Sequence, residues 1–156
     1  MDMDIPTGGL IDLEPATIDA YVEVKIGACK LKTKVIKQKD NLVEWYQEML
    51  LPIEIPLKIE RLTLTLWDED PWPLPDEVCC SLYIPLKEIM RYGSEEKTNM
   101  KWVNLYGGPN GKSGIVFEHM NANPEDACEW KGRILVAYYC HDTKIAISKI
   151  IDIPKN

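Results

Sequence analysis

The stretch Leu62-Thr63-Leu64-Thr65-Leu66-Trp67-Asp68-Glu69-Asp70 decides the fold expected for this chain. Its leucines recur at every second position, a period typical of a β-strand that buries one face. The run ends in acidic residues, and Pro71, Pro73, Pro75 and Asp76 follow within six positions of Asp70. Because proline restricts the backbone, the pattern predicts a strand that delivers carboxylates into a short, stiff loop.

Carboxylates concentrate before or after two predicted strands, the run from Leu62 to Trp67 and the alternating run from Tyr21 to Ile26. The residues concerned are Asp12, Glu14, Asp19, Asp68, Asp70 and Asp76. Calcium takes about six to eight oxygen ligands, so two such groups brought side by side would supply most of a site. The alternative for Asp68, Glu69 and Asp70 is an acidic hairpin tip that keeps a sheet edge solvated, the usual role of charge runs.

Four motifs, in the same order along the chain, resemble those of C2 domains, the calcium- and phospholipid-binding modules of synaptotagmins and protein kinases C. Asp19 to Val24 resembles the signature Asp-Pro-Tyr-Val-x-Val, and Lys32 to Lys37 resembles the strand that follows it. Asn41 to Glu48 is similar to the segment Asn-Pro-x-Trp-Asn-Glu, and Leu66 to Asp70 is similar to Val-Trp-Asp-x-Asp. The chain is therefore identified as a member of this family.

Within the family, the later part of the chain is most similar to an internal C2 domain of ferlins. Trp102 to Pro109 resembles the ferlin element Val-Asn-Leu-Tyr-Gly-x-Pro, and Trp130 to Val136 resembles Tyr-Arg-Gly-Arg-(Ile/Leu)-Leu. Two departures stand out. The aspartate usually found six residues before the Asp19 equivalent falls on Leu13, and the family's opening strand has no clear counterpart in residues 1–10.

These features predict an all-β fold, an eight-stranded antiparallel Greek-key sandwich whose first strand is missing or replaced. The expected strands are 20–26, 31–37, 48–54, 61–67, 78–84, 101–105, 132–140 and 144–151, with one short helix at 86–91. With 156 residues and 46% apolar content, the whole chain is expected to be one domain. It would have a flexible lead over residues 1–9 and a long insertion loop over residues 107–130.

The resemblance implies a calcium-dependent phospholipid-binding module with a role in vesicle fusion or membrane repair. Calcium would be its cofactor, and its partners would be an anionic phospholipid membrane and other domains or proteins of a membrane-fusion complex. The protein would then lie on the cytosolic face of a membrane. The alternative is a C2 domain that no longer uses calcium and binds proteins or phosphoinositides, which Leu13 at the expected aspartate position favours.

Two further groups of residues are candidates for membrane contact. Trp72 and Leu74 lie in the middle of the acidic loop, where they either insert into a bilayer interface or pack under a neighbouring loop. Lys30, Lys32 and Lys34 alternate along a predicted strand. They form either a solvated edge that resists aggregation or a patch for anionic head groups.

Other functions find little support. The net charge of −7 opposes binding to nucleic acid, and neither a phosphate loop nor a nucleophile motif indicates an enzyme. The five cysteines have no paired spacing and are expected to be reduced, and a zinc site at Cys128, Cys140 and His141 lacks the usual spacing. No apolar run is long enough to span a bilayer, and Asp2 and Asp4 are acidic where a secretion signal is basic.

Overall fold

The alternating runs of the sequence form the strands of an antiparallel sheet. The computed structural model describes residues 18–38, 43–54, 56–91, 100–109, 111–138 and 140. In chain order, the elements in these residues are β1 (Asp19–Ile26), β2 (Cys29–Lys32), β3 (Ile36–Lys37), β4 (Arg61–Asp68), β5 (Glu77–Pro85), α1 (Leu86–Ile89), β6 (Met100–Gly107), α2 (Ile115–Ala122) and β7 (Glu129–Ala137). Every strand pair is antiparallel, which confirms the predicted fold class.

β4, the strand of the decisive stretch, lies between β1 and β5. Leu66 lies opposite Val22 on β1 and Cys80 on β5, and each of these side chains is buried. Residues at even positions of the three strands share one face, because side chains alternate along a strand. That face is the core: Ala20, Val22, Val24, Ile26, Leu62, Leu64, Leu66, Cys80, Leu82 and Ile84.

β6 and β7 form an antiparallel pair that adds residues to the core. In the described residues, Ser81 and Tyr106 are the one residue pair that joins β5 to β6. Leu105 of β6 and Ile134 of β7 nevertheless belong to the same hydrophobic cluster as β1, β4 and β5. The arrangement is an open sandwich, with strand order β2-β1-β4-β5-β6-β7 and β3 paired to β1.

Two predicted strands differ from the structure. The predicted strand 31–37 is split into β2 and β3, because Thr33 interrupts it: its hydroxyl accepts a hydrogen bond from the Val22 amide at 3.0 Å and donates to the Lys34 carbonyl at 3.0 Å. The prediction for 48–54 is wrong, since none of these residues belongs to a strand. Pro52 lacks an amide hydrogen and cannot donate to a ladder. The alternation is still real, because Met49, Leu51 and Ile53 pack against the core.

The remaining elements agree with the predictions or extend them. β7 begins three residues before the predicted 132–140, because Tyr106 pairs with Trp130 and Gly107 with Glu129. The short helix at 86–91 is confirmed as α1, and the predicted loop 107–130 contains α2, which contacts β5 and β6. The predicted strand 144–151 and the lead 1–9 lie outside the described residues. No helix among the described residues is long and apolar enough to cross a membrane.

Candidate functional site

The loop between β4 and β5 collects acidic residues at one end of the sheet. Asp68, the last residue of β4, lies opposite Glu77, the first residue of β5, and residues 69–76 connect them. Asp19, the first residue of β1, reaches the same end because Ala20 pairs with Asp68. This surface is called the acidic end and is defined by Asp19, Asp68, Asp70 and Asp76.

Hydrogen bonds tie the start of β1 to the start of the loop. The backbone amide of Asp19 donates to Asp68 Oδ1 at 2.9 Å. The amide of Glu69 donates in return to the carbonyl oxygen of Asp19 at 2.8 Å. Two carboxylates that are far apart in sequence are thereby held next to each other by the backbone.

Asp76 is held by a side chain from β1 and by the loop itself. The Tyr21 hydroxyl donates to Asp76 Oδ2 at 2.7 Å, and the Asp70 amide donates to Asp76 Oδ1 at 3.3 Å. The Tyr21 ring stacks on Trp67 with a centroid separation of 6.1 Å and an interplanar angle of 2°. Burial of Tyr21 and its bond to Asp76 raise the pKa of the phenol, so the hydroxyl stays protonated and remains a donor.

The acidic end carries a local electrostatic cost. Partial burial of Asp68 raises the pKa of its carboxyl group, and the negative charges of Asp70, Asp19 and Glu77 raise it further. The hydrogen bond from the Asp19 amide acts in the opposite direction. A raised carboxyl pKa means that the fold favours the protonated form of Asp68 over the ionised form. Ionised Asp68 therefore destabilises the fold at neutral pH.

The chemistry of the acidic end suits a hard cation, because its side-chain donors are carboxylate oxygens. A carboxylate has about four lone-pair sites, so Asp68 and Asp76 keep capacity beyond the hydrogen bonds described above. Within the described ranges, no three His, Cys, Asp or Glu side chains lie in an arrangement that could hold a metal ion. Asp12 and Glu14, the other predicted ligands, lie outside the described residues. The calcium site stays a prediction.

Trp72 and Leu74 project from the loop into solvent. Trp72 is 92% exposed and Leu74 is 62% exposed. A turn at the tip, in which the Leu74 amide donates to the Pro71 carbonyl at 3.0 Å, separates the two side chains from the sheet. Within the part of the chain that the structure describes, neither side chain packs under a neighbouring loop. Membrane insertion of these side chains stays a prediction.

The predicted lysines are exposed on an outward face. Lys30 lies opposite Lys25 and Lys32 opposite Glu23 across the β1–β2 pair. Lys32 Nζ lies 5.2 Å from the centroid of the Tyr21 ring. Lys34 is also exposed but follows the end of β2. The name lysine face is used below for Lys25, Lys30 and Lys32.

Sequence reasoning missed three residues that contribute to these surfaces. Tyr21 holds Asp76, Glu77 adds charge beside Asp68, and Lys25 extends the lysine face. Tyr21 and Lys25 lie at alternate positions of β1 and therefore on the same face, opposite to the core. This alternation could have predicted both residues. The position of Glu77 opposite Asp68 depends on the register of β4 and β5, which the sequence does not specify.

Cys29, Cys79, Cys80 and Cys128 carry free thiols. Burial raises the pKa of the Cys79 thiol to about 12, and the charges of Asp68 and Glu77 act in the same direction. The Cys79 thiol is thus protonated and unreactive at neutral pH. Cys128 is exposed, and His141 of the suggested zinc site lies outside the described residues.

Comparison with known proteins gives a consistent result. The family model described as C2 domain matches residues 8–105, more than half of the chain. Myoferlin of Mus musculus is 29% identical over 134 residues, which cover 76% of this chain and 6% of that protein. Myoferlin of Xenopus tropicalis is 29% identical over 162 residues, which cover 87% of this chain and 8% of that protein. Myoferlin of Homo sapiens is 27% identical over 147 residues, which cover 76% of this chain and 7% of that protein. The chain spans less than a tenth of the length of these relatives.

Asp68→Asn is expected to stabilise the protein in the absence of calcium. The amide oxygen can still accept from the Asp19 amide, whereas the charge that Asp70, Asp19 and Glu77 repel is removed. We expect a melting temperature about 2 °C higher at neutral pH, which corresponds to less than about 1 kcal/mol. The difference should close as the pH falls through the raised pKa of Asp68, because the wild-type group is then also neutral. Thermal melts from pH 7 down to pH 4, with Glu60→Gln as the control, would detect it. A difference that does not depend on pH would contradict this account.

Tyr21→Phe should loosen Asp76 while it keeps the stack on Trp67. A hydrogen bond to a charged group contributes about 1 kcal/mol or more to stability, less where water competes. A double-mutant cycle of Tyr21→Phe and Asp76→Ala, followed by urea denaturation, measures this coupling directly. We expect a coupling free energy of about 1 kcal/mol. Strict additivity of the two substitutions would show that the bond contributes nothing in solution.

Proposed function

The chain belongs to the C2 domain family, and we propose that it is a calcium-dependent phospholipid-binding module of a ferlin-like protein. The observation that carries this proposal is the position of Trp72 and Leu74 at the acidic end. Four aspartates from two segments lie at this end, and two exposed apolar side chains project from the same loop. Carboxylates and apolar groups at one surface suit a metal-assisted contact with lipid.

Asp19, Asp68, Asp70 and Asp76 would hold the ion, together with Asp12 or Glu14 from the segment before β1. When bound, calcium supplies positive charge and coordination positions that remain open to phosphate oxygens of lipids. In the absence of calcium, the ionised carboxylates of the acidic end repel an anionic membrane, and the net charge of −7 adds to this effect. Neutralisation of these side chains would act as an electrostatic switch for docking.

The apolar side chains provide the second part of the contact. The amphipathic ring of tryptophan is favoured at the interface between lipid and water. Burial of about 200 Å² of Trp72 contributes up to roughly 5 kcal/mol before ordering costs are subtracted. Because Trp72 is already exposed, its insertion requires little change in the packing of the domain.

For the whole protein we propose a role that the resemblance to ferlins supports. We place the module at the cytosolic face of a membrane, in a protein that acts in vesicle fusion or membrane repair. An anionic phospholipid membrane is the partner, and other domains or proteins of a fusion complex are further candidates. The module is expected to bind rather than to catalyse.

Substitution of both Asp68 and Asp70 by asparagine should abolish calcium-dependent binding to vesicles. The two amides keep the size of the aspartates but lose the charge that a cation requires. Co-sedimentation with vesicles of phosphatidylcholine and phosphatidylserine, over a calcium titration, measures binding, and calorimetry measures uptake of the ion. We expect calcium-dependent sedimentation of the wild type and a loss of at least about tenfold in calcium affinity for the variant.

The matched control carries Glu54→Gln and Glu60→Gln, which remove two exposed charges outside the acidic end. It should behave like the wild type. If the wild type releases no heat with calcium and does not sediment, the calcium-dependent proposal fails.

The second candidate function is calcium-independent binding of phosphoinositides. It is favoured by the lysine face, where Lys25, Lys30 and Lys32 share one exposed surface and Lys32 lies over the Tyr21 ring. Each lysine near an anionic membrane surface contributes about 1 kcal/mol. This surface contains no ligand of the proposed metal site and can act independently of it.

Lys30→Gln combined with Lys32→Gln tests this second function. Co-sedimentation with phosphoinositide-containing vesicles in the presence of a chelator should fall by about tenfold or more, because two attractive charges are lost. Lys58→Gln combined with Lys87→Gln, on exposed positions of other segments, is the control. Equal losses in both variants would indicate a nonspecific effect of net charge and not a head-group patch.

A further inference from the structure

The first residues of α2 form a second apolar projection. Ile115 is 85% exposed and Val116 is 64% exposed. Among the large apolar side chains that the structure describes, these two and the pair Trp72 and Leu74 are the four most exposed. Single exposed apolar side chains are common, but the concentration of the most exposed ones in two short segments indicates a surface that meets another apolar phase.

α2 is anchored near the acidic end through Asn121. The side-chain amide of Asn121 donates to the Val78 carbonyl at 3.0 Å, and its oxygen accepts from the Gly108 amide at 2.8 Å. Val78 lies opposite Trp67, next to the Asp68–Glu77 pair from which the acidic loop emerges. Ile115 and Asn121 are six positions apart on the helix, which corresponds to a rise of about 9 Å along its axis. α2 lies in the connection from Gly107, the end of β6, to Glu129, the start of β7, and antiparallel pairing with β5 puts this connection at the end of the sheet where β5 begins. Both apolar projections therefore emerge from the same end of the sheet.

The packed and the free sides of α2 are distinct. A Cβ atom at Gly108 would lie 3.3 Å from Met120 Cβ and 3.5 Å from Phe117 Cδ1, so these two side chains face the sheet. A Cβ atom at Gly111 or at Gly114 would meet no described atom within 4 Å. The segment 111–116 thus extends away from the rest of the described domain.

We infer that the segment 111–116, which we name the α2 tip, is a second membrane-contacting element that enters the lipid interface beside Trp72 and Leu74. This inference rests on the proposed function. An anionic bilayer suits the chemistry of the tip, because the exposed Lys112 accompanies an aliphatic pair. Glu118, an exposed carboxylate of α2, lies three residues beyond Ile115, on the same side of the helix and about one turn further from the start of α2.

A bilayer fits the geometry better than a folded partner does. The apolar groups are divided between two separate projections, whereas stable protein interfaces have one continuous apolar centre. Two contacts with the interface would fix the orientation of the domain on the membrane, which one projection cannot do. The α2 tip would then set the angle at which the acidic end meets the lipid.

The test compares Ile115→Ser combined with Val116→Ser, Trp72→Ser, and the control Met90→Ser. Met90 is 37% exposed and follows α1 at the opposite end of the sheet. Affinity is measured with vesicles of phosphatidylcholine and phosphatidylserine at saturating calcium. We expect the α2-tip variant to lose about tenfold in vesicle affinity, because two aliphatic side chains no longer leave water. Its melting temperature and its calcium affinity without vesicles should not change, and Met90→Ser should bind like the wild type.

Hydrogen exchange supplies a local measurement. In the wild type, the amides of residues 112–118 should exchange more slowly when vesicles and calcium are added. Unchanged exchange there would overturn the inference, and so would full vesicle affinity of the α2-tip variant while Trp72→Ser is impaired. In both cases the proposed function stands. Loss of self-association, detected by sedimentation velocity, with vesicle binding intact would instead assign the tip to a contact between copies. A wild type that binds no vesicles overturns both proposals.

Discussion

The antiparallel pairing of β4 with β1 and β5 is the constraint on which the other features depend. Its register places Leu66 between Val22 and Cys80 in the core and, two residues later, places Asp68 beside Ala20 and Glu77. A shift of one residue would turn the buried leucines outward, so the hydrophobic effect fixes the register strongly. The same register fixes which carboxylates meet at the end of the sheet. The buried leucines of the core therefore determine the position of the acidic end, although they lie further along the sheet.

The acidic end is locally unfavourable, and specific contacts compensate for it. Partial burial and neighbouring charges disfavour the ionised form of Asp68, whereas the Asp19 amide and the Tyr21 hydroxyl donate hydrogen bonds to the carboxylates of Asp68 and Asp76. These donors hold the carboxylates in place without neutralising them. The negative charge of these carboxylates destabilises the fold but remains available to bind a cation. This charge is the basis of the proposed calcium dependence. Tyr21 also connects the acidic end to the lysine face, because Lys32 lies over its ring.

Exposed apolar side chains lie at the same end as the carboxylates. In the proposed membrane contact they would add a hydrophobic interaction to the electrostatic one. Charge neutralisation permits approach to an anionic surface, and insertion of aromatic and aliphatic groups prolongs the contact. The position of α2 near the acidic loop is the reason to assign it a part in this contact. A helix in an insertion would otherwise be a structural excursion, but Asn121 attaches it to β5 and β6 close to the acidic loop. The membrane contact proposed for the module is thus built from two segments that are separated in sequence and held by one sheet.

Local patterns in the sequence predicted the antiparallel fold class, the core face of β1 and β4, the family, and the aspartates of the acidic loop as candidate ligands. Each of these depends on alternation or on motifs within about ten residues, where local pattern is sufficient. Local pattern failed at 48–54, where the alternating side chains pack against the core but Pro52 cannot donate to a ladder, and at 31–37, where Thr33 bonds to Val22. Three contacts could be seen only in the folded chain: Tyr21 holds Asp76, Glu77 lies opposite Asp68, and α2 is anchored near the acidic loop. These relations join residues that are 9 to 55 positions apart, and strand register and packing, which depend on the whole core, bring them together.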